Sequence, residues 1–299
     1  MEAKYKRQVA LLLDVLPEVA KESCFALHGG TAINLFVRDM PRLSVDIDLT
    51  YVPIEDRTVS LKGISAGLEN IKARIEAAVQ GVKVIHSESN GKLLISNRGA
   101  VIKLEVNLTN RGTIALPQKM TLSEKAQTEF EVFCVVPVVP LGQLFGGKIC
   151  AALDRQHPRD LFDVKYLLKN EGFTEEIKKG FLLCLLGSDR PIHEVIQPNF
   201  QDQRLAMENQ FTGMAEEEFS YEDFESTRTQ LVETIKNSLT KADIEFLLSV
   251  KNVDPDWTIH DFEQFPSVQW KLQNLRKLKE SNLEKHVEQY NLLKEKLLG

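Results

Sequence analysis

Two aspartates one residue apart, Asp46 and Asp48, are the residues of this sequence best suited to hold a metal ion. They lie in the segment 44–51, where apolar and polar residues alternate, so an extended strand presents both carboxylates on one face. Two such carboxylates can share a divalent cation, and oxygen-only ligation suits Mg²⁺ or Mn²⁺ bound together with substrate phosphates. The cysteines and histidines lack the spacing of a zinc or redox site, so a metal here would be held mainly by oxygen.

A glycine-rich turn, Gly29-Gly30-Thr31, precedes Asp46 with fourteen residues between them. The apolar run Cys24–Leu27 predicts a buried strand before this turn, and Thr31–Val37 predicts a helix after it. Free backbone N–H groups and the dipole at the start of a helix favour a phosphate. The turn is therefore a candidate anion-binding element beside the aspartates.

Glu105 adds a third candidate carboxylate. It lies with Lys103 on the polar face of a strand predicted over Val101–Leu108. If this strand is adjacent to the one that carries the aspartates, Glu105 completes a metal triad. A metal triad beside an anion-binding turn is what nucleotidyl transfer needs, because the metal activates the attacking hydroxyl and neutralises charge on the triphosphate.

A second charged segment follows in the next part of the chain. Lys148 and Arg155 are seven residues apart and share a helix face, and Asp160 and Asp163 are three apart at the start of the next predicted helix, where Pro158 suits the first turn. One interpretation is contact with a triphosphate or RNA; the other is a salt-bridged helix pair. Taken alone, the segment favours the helix pair. Beside the first motif it favours a site role for Lys148 and Asp163, with Asp160 structural.

Four segments together carry a family resemblance. The segments His28–Ile33 and Arg42–Leu49 resemble the DNA polymerase β-like nucleotidyltransferase superfamily, and more narrowly its AbiEii/AbiGii-type abortive-infection toxins. Gly147–Arg155 and His157–Val164 are similar to the later motifs of that branch, a helical lysine followed by an R-D-x-x-D helix start. One departure is Glu105, because many members of the superfamily carry aspartate as the third carboxylate.

The resemblance implies the toxin of a two-gene toxin–antitoxin or abortive-infection system used in phage defence. It implies a metal-dependent enzyme that transfers nucleotides from an NTP to RNA, with the 3′ end of tRNA as the expected acceptor, and so blocks translation. The implied partner is a separately encoded antitoxin that need not contact the toxin.

The site residues that follow fall into three overlapping groups. The catalytic candidates are Asp46, Asp48, Glu105, Lys148 and Asp163. The metal candidates are Asp46, Asp48 and Glu105, for Mg²⁺ or Mn²⁺. The nucleotide-binding candidates are Gly29, Gly30, Thr31, Ser44, Lys148 and Arg155.

Two other functions use the same core and stay open at this point. One is a nucleotidyltransferase that acts on a small molecule or a protein side chain, since a fold alone does not settle the substrate. The other is a non-catalytic module that binds nucleotide or RNA. The presence of Asp46, Asp48, Glu105 and Lys148 together argues against lost catalysis.

Composition excludes several classes of protein. The chain has 299 residues, enough for two domains, with 43% hydrophobic and 27% charged residues, which excludes a disordered chain, a collagen-like repeat and a disulfide scaffold. The longest apolar run, Phe181–Leu186, is far shorter than the about 20 residues of a membrane span. No signal-peptide core is recognisable at the start. We expect a cytoplasmic protein without a membrane partner.

The net charge of −6 is unevenly distributed along the chain. Residues 1–169 carry +3, residues 170–268 carry −12 and residues 269–299 carry +3. The first part and the last helix can therefore face a polyanion such as RNA, although ordinary surface charge explains the distribution equally well.

Periodicity predicts an α+β protein: a polymerase β-like nucleotidyltransferase core with a mixed sheet over 1–140, followed by an all-helical domain over 141–299. The further strands predicted for the core are 82–87 and 92–96, with 130–139 as an edge strand or linker because of its prolines, and its further helices are 4–22, interrupted at Pro17, and 67–79. The helices predicted for the second domain are 141–155, 158–169, 174–186, 203–214, 221–238, 240–250 and one long helix over Val268–Leu298.

Overall fold

The computed structural model describes residues 1–299 and confirms the α+β class, with one seven-stranded mixed sheet. The strands are β1 Phe25–His28, β2 Asp46–Tyr51, β3 Lys83–Ser87, β4 Lys92–Asn97, β5 Ala100–Val106, β6 Gln118–Thr121 and β7 Val135–Val138. The helices are α1 Ala3–Ala20, α2 Gly29–Ala32, α3 Arg57–Ala78, α4 Glu124–Phe130, α5 Leu141–Asp154, α6 Pro158–Asn170, α7 Glu175–Leu186, α8 Ile192–Ile196, α9 Arg204–Gln210, α10 Tyr221–Ser238, α11 Lys241–Lys251, α12 Pro266–Ser281 and α13 Leu283–Leu298.

The chain divides into two compact units. Unit 1 contains residues 1–140 together with 208–219, and unit 2 contains residues 141–207 and 220–299. The sequence-based division assigned 208–219 to the second domain, whereas this segment packs with unit 1, where Leu43 donates a backbone hydrogen bond to Met214 and Arg42 forms a β-bridge with Ala215. A contact so distant in sequence leaves no local pattern, so periodicity could not reveal it.

The sheet of unit 1 has the strand order β3-β4-β5-β2-β1-β7-β6. β2 pairs antiparallel with β1 and parallel with β5. The prediction of an edge strand over 130–139 was wrong, because β7 lies between β1 and β6; its Pro137 pairs with Lys119 of β6, the true edge strand.

The alternation of residue types in the sheet separates a core face from a polar face. On β5, Ile102 and Leu104 are buried while Val101 and Lys103 are exposed, as period-two side-chain alternation requires. Helices α1 and α3 pack against these strands and bury the apolar face. The opposite face of β2 and β5 is left to carry the charged residues.

Unit 2 is all-helical, and glycines bring two of its helices into backbone contact. At Gly146 an added Cβ would lie 2.3 Å from the backbone carbon of Gly180, and at Gly180 it would lie 2.0 Å from the carbonyl oxygen of Gly142. No side chain larger than hydrogen fits at such separations. The close approach of α5 to α7 therefore fixes the depth of α5, which carries Lys148.

Several element boundaries differ from those predicted. Pro17 lies inside α1 without ending it, and α3 begins at Arg57, ten residues before the predicted start, where Asp56 caps the helix by accepting from the Thr58 N–H. The helix predicted over Val268–Leu298 is two helices, because Asn282 adopts an extended conformation and caps α13 by accepting from the Lys285 N–H. The helix predicted over 203–214 ends at Gln210. Short elements β6, α4 and α8 were not predicted at all.

Candidate active site

The predicted carboxylates lie side by side on the polar face of the sheet. In the parallel ladder between β2 and β5, Asp46 is opposite Lys103 and Asp48 is opposite Glu105. The strand that carries Glu105 is therefore adjacent to the strand that carries the aspartates, as the metal triad requires. The side chains of Asp46 and Glu105 are each 30% exposed, so solutes can reach both carboxylates.

Two lysines accompany Glu105 on this face. Lys92 Nζ lies 2.9 Å from Glu105 Oε1, and Lys103 Nζ lies 3.5 Å from the same oxygen and 3.9 Å from Asp46 Oδ1. Burial alone would raise the pKa of Glu105, but the hydrogen bond from Lys92 and the charge of Lys103 outweigh it and hold this pKa below its usual value. Glu105 is therefore ionised and engaged by ammonium groups.

Sequence reasoning placed Lys103 on the same face as Glu105 but missed Lys92, although a signal for Lys92 exists. Arg98 and Gly99 connect β4 to β5, and both have a positive φ, 45° and 80°. Two successive residues with positive φ are typical of the two-residue turn of a tight hairpin. Such a turn fixes the register of β4 on β5, and counting back from it places Lys92 opposite Glu105. Gly99 just before a strand was the local cue.

The donor set fits a divalent cation through Asp46 and Asp48. Two carboxylates on one exposed face match the usual protein contribution to a Mg²⁺ site, which keeps several positions for water and substrate phosphate. No group of three or more His, Cys, Asp or Glu side chains is arranged to hold a metal ion.

The glycine turn lies directly against the aspartate pair. Gly29 has φ +71°, in the left-handed region that favours glycine, and a Cβ there would lie 2.3 Å from Asp48 Oδ2. At Gly30 a Cβ would lie 2.8 Å from Ser44 Oγ and 2.9 Å from a guanidinium nitrogen of Arg42. Both glycines are thus needed for the turn to approach β2.

Thr31 connects the turn to the start of β2. Its side chain is fully buried, and its hydroxyl donates a 2.6 Å hydrogen bond to the backbone carbonyl of Asp46. Asn34, also buried, donates to the carbonyl of Gly30. The observed role of Thr31 is to position Asp46, and the helix that begins at Gly29 continues as a π-helical turn over Ile33–Val37.

The second predicted cluster lies within unit 2 and is buried. Lys148 Nζ lies 2.8 Å from Asp160 Oδ1 and 3.0 Å from Asp163 Oδ2, and the side chains of these three residues are at most 6% exposed. Arg155 donates from Nε and Nη2 to the two oxygens of Asp160, at 2.6 and 3.0 Å. These contacts join α5 to α6, and they are those of a salt-bridged helix pair.

The charge of Asp160 is stabilised by these partners. Burial alone would raise the pKa of Asp160, but Lys148 and Arg155 outweigh it and hold the pKa well below its usual range. Pro158 begins α6, and His157 caps it by accepting from the Arg159 N–H. Within the cluster, Lys148, Asp160 and Asp163 are buried, whereas the side chain of Arg155 is 61% exposed and contacts Asp160 from the solvent side.

The fold is that of a nucleotidyltransferase toxin. The chain is similar in structure to MenT4, a nucleotidyltransferase toxin from Mycobacterium tuberculosis H37Rv, with a TM-score of 0.62 and 13% identity over 92% of this chain and 95% of that chain. No curated protein matches the chain in sequence. None of the helices combines the length and apolar character that crossing a membrane requires.

Residues 10–274 match the model of a family described as nucleotidyl transferase AbiEii toxin, type IV TA system. The chain belongs to this family and is a nucleotidyltransferase toxin of the type IV toxin–antitoxin class. This confirms the resemblance drawn from the four sequence segments.

Proposed function

We propose that this toxin transfers nucleotides from an NTP to RNA in a metal-dependent reaction, with the 3′ end of tRNA as the acceptor. Such a modification blocks translation and arrests growth, which would serve phage defence. The observation that carries the proposal is the placement of Asp46 and Asp48 on an exposed sheet face against the Gly29 turn, in a member of this family.

Asp46 and Asp48 are the residues proposed to hold Mg²⁺ or Mn²⁺. When bound, the ion supplies charge neutralisation for the triphosphate and activation of the attacking hydroxyl. Thr31 holds the backbone of Asp46 through its hydrogen bond, and Gly29 lets the turn approach Asp48. Lys103, 3.9 Å from Asp46, keeps a positive charge at the same face, where it favours an anionic substrate.

Glu105 stays a candidate third ligand with a defined cost. To ligate a cation it must hold the ion beside Lys92 and Lys103, whose ammonium groups lie 2.9 and 3.5 Å from its Oε1 and repel a positive charge. We therefore expect its contribution to be smaller than that of either aspartate.

Gly29, Gly30 and Ser44 are the residues of unit 1 proposed to contact the nucleotide. The corresponding candidates in unit 2 are Lys148 and Arg155, and Asp163 is a further catalytic candidate of that unit. The guanidinium of Arg155 donates two hydrogen bonds to Asp160 but its side chain is 61% exposed, so a phosphate can approach it, whereas Lys148 is buried between two aspartates. A role for Lys148 toward the triphosphate requires that it leave one of them.

The charge distribution supports RNA as the acceptor. The +3 balances of residues 1–169 and 269–299 suit a polyanion, whereas the −12 of residues 170–268 would repel one. Binding to RNA should then weaken steeply with salt, because each phosphate contact releases counterions.

The test is to incubate the protein with total RNA, Mg²⁺ and each labelled NTP in turn, beside the Asp46→Ala variant. The proposal expects label on tRNA-sized RNA with the wild-type protein and none with the variant. Label only on an aminoglycoside or on the protein itself would replace the proposal with a small-molecule or protein-modifying enzyme. No label and no metal-dependent binding of NTP would indicate a binding module.

The proposed partner is a separately encoded antitoxin. Finding a small upstream gene for a winged-helix protein that overlaps the toxin gene, or nearly does, would support this partner. Co-expression should relieve growth arrest, and affinity purification of the toxin should leave the antitoxin behind if the two need no direct contact.

A further inference from the structure

Unit 2 contains a cavity of about 190 Å³ whose wall carries three lysines and one exposed indole ring. It is formed by the segment after α7 together with α11, α12 and α13. Its polar and aromatic lining residues are Ser188, Asp189, Lys251, Ser267, Trp270, Lys271, Asn274, Lys285 and Gln289. All of them belong to unit 2, whereas the carboxylate face of β2 and β5 belongs to unit 1.

Two of these lysines are buried. Lys251 is 3% exposed and donates a 2.8 Å hydrogen bond to Gln289 Oε1. Lys271 is 8% exposed and donates to the backbone carbonyls of Ser188 and Arg190. All of these acceptors are neutral amides and carbonyls, and neither ammonium forms an ion pair with a carboxylate. Asp189 exerts only a longer-range attraction on Lys271.

The other buried lysines of unit 2 are compensated differently. Lys148 contacts two aspartates, and Lys178 Nζ lies 3.1 Å from Asp243 Oδ2. Burying a cation without a paired anion costs free energy of folding. An unpaired buried lysine is therefore expected only where another interaction, such as a bound anion, offsets this cost. Burial lowers the pKa of both Lys251 and Lys271 to about 8, so both still carry a proton at neutral pH.

We propose that this cavity binds the phosphate group of a nucleotide. Two buried ammoniums in one cavity suit a phosphate monoester, which carries close to two negative charges at neutral pH. Trp270, 48% exposed at the wall, offers a flat surface on which a base can stack. The amides of Asn274 and Gln289 can hydrogen-bond a base or ribose. The phosphate can come from a free nucleotide or from the end of an RNA.

The proposal makes opposite predictions for binding and for stability at Lys251. A methionine there keeps the length of the side chain and removes an uncompensated charge. Lys251→Met should therefore weaken phosphate binding at least about tenfold, the usual effect of losing a charge-assisted hydrogen bond, while the melting temperature stays equal or rises. A purely structural lysine would show the reverse: unchanged binding and a lower melting temperature.

The experiment is isothermal titration calorimetry on the full-length protein with pyrophosphate, the four ribonucleoside monophosphates and a 5′-phosphorylated tetraribonucleotide. Lys277, exposed on α12 outside the cavity, provides the matched control Lys277→Met. Asp46→Ala separates this cavity from the proposed transfer site. Intrinsic fluorescence, with Trp270→Phe beside wild type, reports whether the ligand lies at Trp270.

Saturable binding that survives Asp46→Ala and Lys277→Met, quenches Trp270 and is lost in Lys251→Met supports the site. Binding of monophosphates then assigns a free nucleotide, and binding of the oligonucleotide alone assigns an RNA end. Absence of binding in the wild type, or binding that Lys251→Met leaves unchanged, would overturn it. Loss of binding in Asp46→Ala would place the ligand at the transfer site and also overturn it.

Discussion

The two charged clusters of this toxin use similar residues in opposite environments. On the sheet of unit 1, Asp46 and Glu105 are 30% exposed and share a face with lysines at 2.9 to 3.9 Å. Between α5 and α6 of unit 2, Lys148 and Asp163 are 6% and 0% exposed. An exposed ion pair adds little to stability, whereas removing one partner of a buried pair is costly. The first cluster is thus accessible to solutes, and the contacts of the second are expected to contribute more to the stability of its unit.

The largest expected effect is on catalysis in unit 1. Asp46→Ala should lower nucleotide transfer about a thousandfold or more, since a catalytic metal contributes several kcal/mol to transition-state stabilisation. The melting temperature should stay near that of wild type, because the side chain of Asp46 is partly exposed. The measurement is single-turnover transfer of labelled NTP beside a thermal melt. Full activity in this variant would remove Asp46 from the site.

The second effect is on stability in unit 2. Lys148→Met leaves Asp160 and Asp163 buried without the ammonium group that contacts both, and should cost about 3–5 kcal/mol of unfolding free energy. Lys165→Met, which removes a partly exposed contact with Asp223, is the matched control and should cost less than about 1 kcal/mol. Urea denaturation measures both. Equal losses in the two variants would contradict the contrast between buried and exposed pairs.

The affinity for NTP separates the two roles of Lys148. If Lys148 also contacts the triphosphate, folded Lys148→Met should bind NTP about ten- to a hundredfold more weakly, the effect of one charge-assisted hydrogen bond. An unchanged affinity would leave Lys148 with a structural role alone.

Acid should weaken unit 2 through its buried carboxylates. Burial alone would raise the pKa of Asp243, but hydrogen bonds from Thr240, His260 and Lys178 outweigh it and lower the pKa from 3.8 to about 2. Since the unfolded chain then binds protons first, this contribution is present above pH 3.8 and is lost as the pH falls toward 2. Asp243→Asn should remove about 2 kcal/mol at neutral pH and flatten the stability profile in that window. A variant profile parallel to that of wild type would contradict the assignment.

A smaller effect is expected at Gly29. Alanine there adopts a left-handed backbone at a cost of about 1–2 kcal/mol and displaces the carboxylate of Asp48, so transfer activity should fall as well. Gly172, also at φ +71° but with no atom within 4 Å of an added Cβ, is the matched control. Gly172→Ala should show a similar loss of stability with activity retained. Equal activities of the two variants would break the link between Gly29 and Asp48.

The smallest effect is expected at the exposed pair of unit 1. Lys92→Met should change the unfolding free energy by less than about 1 kcal/mol, as is usual for exposed ion pairs.

Glu105→Gln should reduce transfer activity less than Asp48→Asn does, because Glu105 is already engaged by lysines. A loss in Glu105→Gln as large as in Asp48→Asn would make Glu105 a full member of the metal site.

Local patterns predicted the elements of the first cluster because its parts are local. The alternation around Asp46 and Asp48, the glycine turn and the adjacent helix follow from residues within about one element of each other, and the structure has all three. The strands predicted over 82–87 and 92–96 are likewise present as β3 and β4, which pair antiparallel. What the pattern lacked was the register that brings Lys92 to Glu105.

Long-range packing accounts for most of the differences. The place of β7 inside the sheet and the packing of 208–219 with unit 1 depend on residues distant in sequence. The helical pattern of apolar residues continues on both sides of Asn282, so periodicity alone predicted one helix where the structure has two. The sequence correctly placed Asp160 and Asp163, the partners of Lys148, on the following helix. Whether the three side chains contact a substrate or one another depends on their burial, which the sequence pattern does not show.

The glycine contacts between α5 and α7 have a consequence for hydrogen exchange. Helices whose backbones touch cannot separate by rotamer changes, and water has no path to their amides without loss of the whole contact. We expect the amide protons around Gly146 and Gly180 to exchange with deuterium only through global opening of unit 2. They would then form the slowest-exchanging group of the helical unit, while the amides at the α12–α13 break exchange by local fraying.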